Sequence, residues 1–407
     1  MFFFLTLHER ALKVMRFCIV MKHFAFRHAW RWFHLAVLCA SSWAAMAQPA
    51  AQSVSAEQRA SAPRPAMATE PTKTRTPAAW IKVPRIKGRL MPRDIGLVIN
   101  MADPYSVEVG RYYQQRRGLS PTQVLEVTLP VQDRMKASEL LALRARIDGH
   151  FGPEIQALAL AWVKPWSVDC HSVTGALALG LDDNLCKRSC ERTRPSPLFN
   201  NATSQPFTDH GVRPSMHLAA GSVEEARQMI DRGVASDGTL GLRGAPSATV
   251  ALLTSADRRR NVRATTYPAS GPIGRAGLEI VIAETDQLPT LPRLVMVQGS
   301  TASMEPLGGL HWLPGALADH LTSYGGVLHD RHSQSTVLDW IRSGATASYG
   351  NVSEPCNHLQ KFPHPQLLLL HYAQGSTAIE AYWKSVAWPQ QGLFAGEPLA
   401  APFGRKP

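Results

Sequence analysis

Short apolar runs alternate with helical stretches along most of this chain, and that order admits few folds. Ile95-Gly96-Leu97-Val98-Ile99-Asn100 reads as a buried strand. Asp103-Pro104-Tyr105-Ser106 reads as a turn, and residues 107–117 as a helix closed by Gly118. A strand over 124–129 and a helix over 137–151 follow, then the fully apolar run Ala157-Leu158-Ala159-Leu160-Ala161-Trp162. After a break the alternation resumes. Ser222 opens a helix that Gly233 closes, and strands are expected over 248–253, 279–283, 294–297 and 345–349. Further helices are expected over 334–343, 366–373 and 377–386, the last capped by Ser376. Such a pattern predicts an α/β fold, a mostly parallel sheet flanked by helices, with sites at the carboxyl ends of the strands.

The alternation fails between residues 165 and 220, where prolines, cysteines and Asn/Ser clusters dominate. This stretch is read as an irregular insertion pinned by disulfides. Four cysteines lie beyond residue 47: Cys170, Cys186, Cys190 and Cys356. An exported chain would pair them as two disulfides, with Cys186 or Cys190 joined to Cys170. Zinc is the weaker alternative, since His171 is adjacent but Cys-x-x-x-Cys is not the usual zinc spacing.

Export is itself an expectation from the N-terminus. Arg27 and Arg31 supply a positive region, and an apolar stretch begins at Leu35. Ala45-Met46-Ala47 then fits a small-x-small cleavage site, so residues 1–47 read as a signal peptide and Gln48 as the mature start. Met15 and Met21 are alternative start codons. Residues 48–78, rich in Ala, Pro, Ser and Thr, read as a disordered spacer, and 79–407 as the α/β domain. No transmembrane span is expected after cleavage. The formal charge of +12 falls to +7 once the six Lys/Arg and Glu9 of residues 1–47 are removed. A balance of that size calls for no nucleic acid. The run Arg258-Arg259-Arg260 with Arg263 has no interleaved aromatics and reads as a solvated face.

Phosphate loops, dinucleotide fingerprints, His-Glu-x-x-His and Gly-x-Ser-x-Gly are all missing, so no cofactor is expected. Two polar clusters stand out. In the first, Asp319, His320, Thr322 and Ser323 offer an acid, a base and two hydroxyls within five positions. His320 would act as base, Asp319 as its orienter and Ser323 as nucleophile. Thr322, Gly325 and Gly326 would bind, the glycines offering N–H donors to an oxyanion. The bland reading is a hydrogen-bonded loop with a structural His and Asp. The second cluster follows the strand expected at 345–349. Glu354 would serve as a further acid or base and Lys361 as its partner or a binding residue. Cys356, if free, could pair with His311 as a dyad, whereas a disulfide removes it. Weaker signals are Asp209-His210-Gly211 as a turn, Asp257 in a charged turn, and His217, His371, Trp383 and Trp388 as packing residues.

Several of these motifs together resemble an uncharacterised family of exported bacterial proteins. They are Asp319-His320-Leu321-Thr322-Ser323-Tyr324-Gly325-Gly326, Ala347-Ser348-Tyr349-Gly350 leading to Glu354-Pro355-Cys356, Lys361-Phe362-Pro363 and Glu380-Ala381-Tyr382-Trp383-Lys384-Ser385-Val386. The likeness spans roughly residues 92–403 and brings no activity with it. More distantly, the order of strand, His-bearing loop and polar strand end is similar to caspase-like and gingipain-like peptidases. That likeness implies a caspase-like sheet. In those families a His follows one strand and a Cys ends the next. Here Thr322 and Ser323 fall near the cysteine position and His311 near the histidine, so the nucleophilic thiol is missing. The resulting expectation is an exported, periplasmic or extracellular protein, hydrolase-like towards a peptide or envelope polymer. The alternative is a non-catalytic binding or assembly protein of the envelope.

Overall fold

The computed structural model describes residues 76–305, 307–329 and 333–405. The expected signal peptide and nearly all of the expected spacer lie outside these residues. Thirteen strands are found among those described. They are β1 (Ile95–Asn100), β2 (Val124–Val127), β3 (Ala157–Leu160), β4 (Ser167–Val168), β5 (His171–Ser172), β6 (Ser215–His217) and β7 (Ala248–Thr254). β8 (Gly271–Ile273), β9 (Leu278–Glu284), β10 (Leu294–Gly299), β11 (Trp312–His320), β12 (Ala347–Asn351) and β13 (Gly392–Gly396) complete them. β4 and β5 form a separate small ladder. The rest make one sheet in the order β2-β1-β3-β6-β13-β12-β11-β10-β7-β9-β8.

The expected α/β architecture is what the chain adopts. Seven ladders of three or more residue pairs are parallel: β2–β1, β1–β3, β3–β6, β12–β11, β11–β10, β10–β7 and β7–β9. β8 is antiparallel to β9. β13 is antiparallel to β12 and reaches β6 through the bridge Ala395–His217. β1 shows why both faces must be covered. Its alternate residues point to opposite sides. Leu97 and Ile99 pack with Val109 and Tyr113 of α1 (Pro104–Arg117). Val98 packs instead with Leu140, Leu143 and Ile147 of α2 (Ala137–His150). Asp103 caps α1 by accepting from Tyr105 N (3.0 Å), and Gly118 ends it at φ 65°.

Helix ends fix which strand ends share an edge. Arg117, at the end of α1, chelates Glu397, the residue after β13 (2.9 and 2.6 Å), and also holds Asp237 (2.6 Å). Ser236 ends α6 (Val223–Ser236) and packs on Gly315 early in β11. β1, β6 and β11 therefore start on one edge and deliver their carboxyl ends to the other. α6 differs from expectation, because it runs through Gly233. A Cβ there would lie 2.4 Å from Glu397 Oε2, so the glycine makes room for the buried carboxylate and is not a helix stop. The irregular stretch likewise ends sooner than expected, since β6 is an interior strand. Residues 183–187 and 206–210 form short helices within the stretch, and Val173–Leu179 (α3) packs on the sheet.

Before the first strand, residues 78–91 form an extended strap. Gln366 accepts from Ile81 N (2.7 Å) and donates to Ala79 O (3.1 Å). Gln374 accepts from Ile86 N (3.2 Å) and donates to Pro84 O (3.2 Å), and Glu380 accepts from Leu90 N (3.1 Å). Two side-chain amides and a carboxylate thus take the place of a neighbouring strand for a backbone that joins no sheet. Among the described residues no helix is long and apolar enough to cross a membrane.

Candidate functional site

Asp319 and His320 are the last two residues of β11, and neighbours on a strand leave it on opposite faces. Asp319 is fully buried. It pairs with the buried guanidinium of Arg263 and accepts from Gln298 Nε2 (2.9 Å). Burial pushes its carboxyl up, against the charge of Arg263 and the bond from Gln298. On the other face, His320 Nδ1 accepts from the indole N–H of Trp340 (2.9 Å). Burial and the charge of Arg263 hold this imidazole down to about 3, so it is neutral at ordinary pH. The carboxylate therefore does not orient the imidazole, contrary to the roles the spacing suggested. Among the described residues Ser323, half-buried, bonds to neither.

The rest of the first cluster is structural in its contacts. Thr322 Oγ1 donates to Gln334 Oε1 (2.5 Å), which also accepts from Tyr324 N (3.0 Å). Gly326 N donates to Asn351 O (2.9 Å), and Gly325 O accepts from Val337 N (2.8 Å). A Cβ on Gly350 would lie 2.1 Å from Gly325 C, and one on Gly326 would lie 2.3 Å from Gly350 O. These glycines serve a backbone crossing, and the N–H of Gly326 is already engaged, so it offers nothing to an oxyanion. His311 precedes β11 at the opposite edge, about 30 Å from His320 at about 3.3 Å per residue, so it reaches neither Ser323 nor Cys356.

The second cluster anchors the irregular stretch. Cys190 joins Cys356 (Cα–Cα 5.1 Å) and Cys170 joins Cys186 (Cα–Cα 5.3 Å). The expected partner of Cys170 is thus found, and Cys356 is no free nucleophile. Around this tie, Ser353 Oγ donates to Cys170 O (2.6 Å), His358 Nε2 meets Cys190 O (2.7 Å) and Lys361 Nζ donates to Ser189 O (2.7 Å). Glu354 accepts from Cys356 N (2.8 Å), with its charge felt by Lys361 but no direct pair between them. Burial lowers the Lys361 ammonium to about 8. His171 Nδ1 faces both sulfurs of the first disulfide (3.7 and 3.6 Å), an arrangement that would suit a metal if the thiols were free. As a disulfide they supply no thiolate to zinc. Alkylation of the denatured chain beginning at Gln48, without reductant, should therefore add no mass. Label on Cys356, or zinc released on acidification, would contradict these pairings.

Open ground lies elsewhere on the carboxyl edge. The sheet order β2-β1-β3 places a switch point between β1 and β3, because α1 and α2 leave to opposite faces. A cavity of about 250 Å³ sits there, lined by Asp103, Tyr105, Val163, Lys164, Gly221, Leu328, His329 and Leu338. It shares His329 and Leu338 with a neighbouring cavity of about 460 Å³, lined also by Ser303, Glu305, Ser333, Gln334, Thr336, Asp339 and Arg342. Tyr105 Oη donates to Leu218 O (3.0 Å) and accepts from Ala220 N (2.9 Å), and burial keeps it protonated. Burial also pushes Asp103 up, opposed by the N–H groups of α1. Lys164 pairs with Asp133 (2.8 Å), and Arg342 with Glu225 (3.2 Å) and Asp339 (3.0 Å). None of these lining residues was singled out from sequence as a site. The available signal was position, since Asp103 comes three residues after the first expected strand and Lys164 two residues after the third.

No family model matches the chain, and no curated protein matches it. Among solved structures it is similar to the Arg specific cysteine proteinase gingipain R. The identity is 11%, the TM-score is 0.38, and the overlap covers 76% of this chain and 78% of that one. A likeness at this level assigns no activity to this chain.

Proposed function

We propose that this is a non-catalytic binding protein of an oxidising, exported compartment. Its ligand is a peptide or other polar envelope polymer, held in the paired cavities of the carboxyl edge. The observation that carries this reading is the separation of Asp319 from His320. Each is consumed by a buried partner on its own face of the sheet, so the acid, the base and Ser323 do not form a working set. The cavities lie beside this cluster rather than in it. Hydroxyls, a carboxamide and charges of both signs line the larger one, which suits a polymer rich in hydrogen-bonding groups. The two disulfides fit a chain that works outside a reducing compartment.

The test is co-sedimentation of the protein with insoluble peptidoglycan. The chain should pellet with the polymer and release no soluble fragments. Exposed Glu305→Ala together with Ser303→Trp, which fills the cavity mouth, should reduce retention about tenfold, a loss of about 1.4 kcal/mol. Release of fragments that Ser323→Ala abolishes would overturn the reading in favour of a hydrolase.

A further inference from the structure

A third cavity, of about 550 Å³, lies on the amino edge of the sheet, away from the paired cavities. Its position follows from Pro402, which packs on Gly315 early in β11 and leads directly to Phe403 and Gly404 in its wall. Four cationic side chains line it: Arg85, Lys87, Arg89 and Arg405. No Asp or Glu lines it, and none of the four forms an ion pair among the described residues. Like charges gathered on one concave wall repel one another unless a counter-charge is present.

The wall is also built rather than loose. Gln374 clamps the strap on both sides of Arg85, and Lys87 N donates to Ala202 O (3.4 Å). Arg89 Nε is turned to Met91 Sδ (3.4 Å), while its Nη1 is buried without a partner. That guanidinium lies against Gly404, where a Cβ would come within 1.5 Å of Nη1, so a larger residue would displace it. An unpartnered, buried guanidinium nitrogen is costly unless an acceptor meets it.

We infer that this amino-edge cavity binds a multiply charged oxyanion of the phosphate class. Arg presents a fork of donors that matches phosphate oxygens, and four cations together suit a dianion better than a single carboxylate. The phosphate could be a free ion or the head of an anionic lipid, whose chain would meet Ile86, Met91 and Phe403.

Two titrations separate these sources. In one, inorganic phosphate and pyrophosphate are added to the chain beginning at Gln48 and followed by calorimetry. In the other, vesicles of phosphatidylglycerol in phosphatidylcholine are compared with pure phosphatidylcholine. Binding in either arm is the expected result, weakening as salt rises. The exposed triple Arg85→Gln/Lys87→Gln/Arg405→Gln should weaken it at least tenfold, and Arg89→Gln should do so alone. A control triple of equal charge, Lys187→Gln/Arg192→Gln/Arg258→Gln on exposed sites outside the cavity, should leave it unchanged. Equal loss in the control, no response to the cavity variants, or no binding in either arm would overturn the proposal.

Discussion

Lowering the pH from 7 to 5 should remove several kcal/mol of stability from this protein. His217, His320 and His371 are buried, and burial lowers them from about 6.5 in the unfolded chain to about 4, about 3 and about 4. Burial, with the charge of Arg263, also holds half-buried His364 to about 4, so below pH 6.5 the unfolded chain binds four protons that the folded one refuses, and stability falls as the pH falls. Each histidine contributes about 1.4 kcal/mol per pH unit in that window, and the four together about 5. The loss levels off only once the pH drops through the folded values. Asp103 and Asp319, pushed up by burial, act in the opposite sense. Against a total of about 5–15 kcal/mol the remaining slope is large. Urea midpoints at pH 7, 6 and 5 would measure it. His217→Gln should flatten the slope by about a quarter. A midpoint independent of pH would mean that these imidazoles are solvated and that the packing around them is wrong.

Breaking the Arg263–Asp319 pair is the second large effect. Both groups are fully buried, with Arg263 also donating to Gly299 O (2.8 Å). Arg263→Ala or Asp319→Ala strands one uncompensated charge in the interior, and each should cost about 3–5 kcal/mol. Replacing both by apolar residues, Arg263→Met with Asp319→Leu, should recover most of that loss. The double-mutant cycle read from urea midpoints then shows strong coupling. Single variants that cost under about 1 kcal/mol would place the carboxylate in water and return Asp319 to the list of reactive groups.

These effects also mark where sequence stops being legible. β1 was readable because Ile95 to Ile99 is a continuous apolar run between polar signals. β11 was not. Pro314 and Gly315 interrupt it, and its polar end looks like a loop, although burial runs unbroken from Gly315 to His320. β6 has three residues and β13 is bounded by glycines, and both are held by their neighbours rather than by propensity. The cap of the helix Ala378–Ser385 fell to Thr377 and not Ser376, because the threonine sits three residues before Glu380 and bonds with it reciprocally.

The site was less legible still. A dense polar string such as Asp319 to Ser323 shows which groups are close in sequence, not which face each takes. Arg263 was read as one more charge on a solvated run. Its true partner lies 56 residues away, and no local pattern reports that. The cysteines were easier, since four thiols in such a chain allow few pairings.

The place of β13 has a consequence for how the chain is made. Synthesis proceeds from the N-terminus, and β13 is the last strand to appear, yet it stands between β6 and β12 in the middle of the sheet. Until residues 392–396 are available, a nascent chain carries two half-sheets, each with an unpaired inner edge. Such edges invite pairing with other chains. A ribosome stalled after residue 390 would therefore hold two half-sheets whose facing edges are unpaired, and completion of the final strand closes both edges in one step.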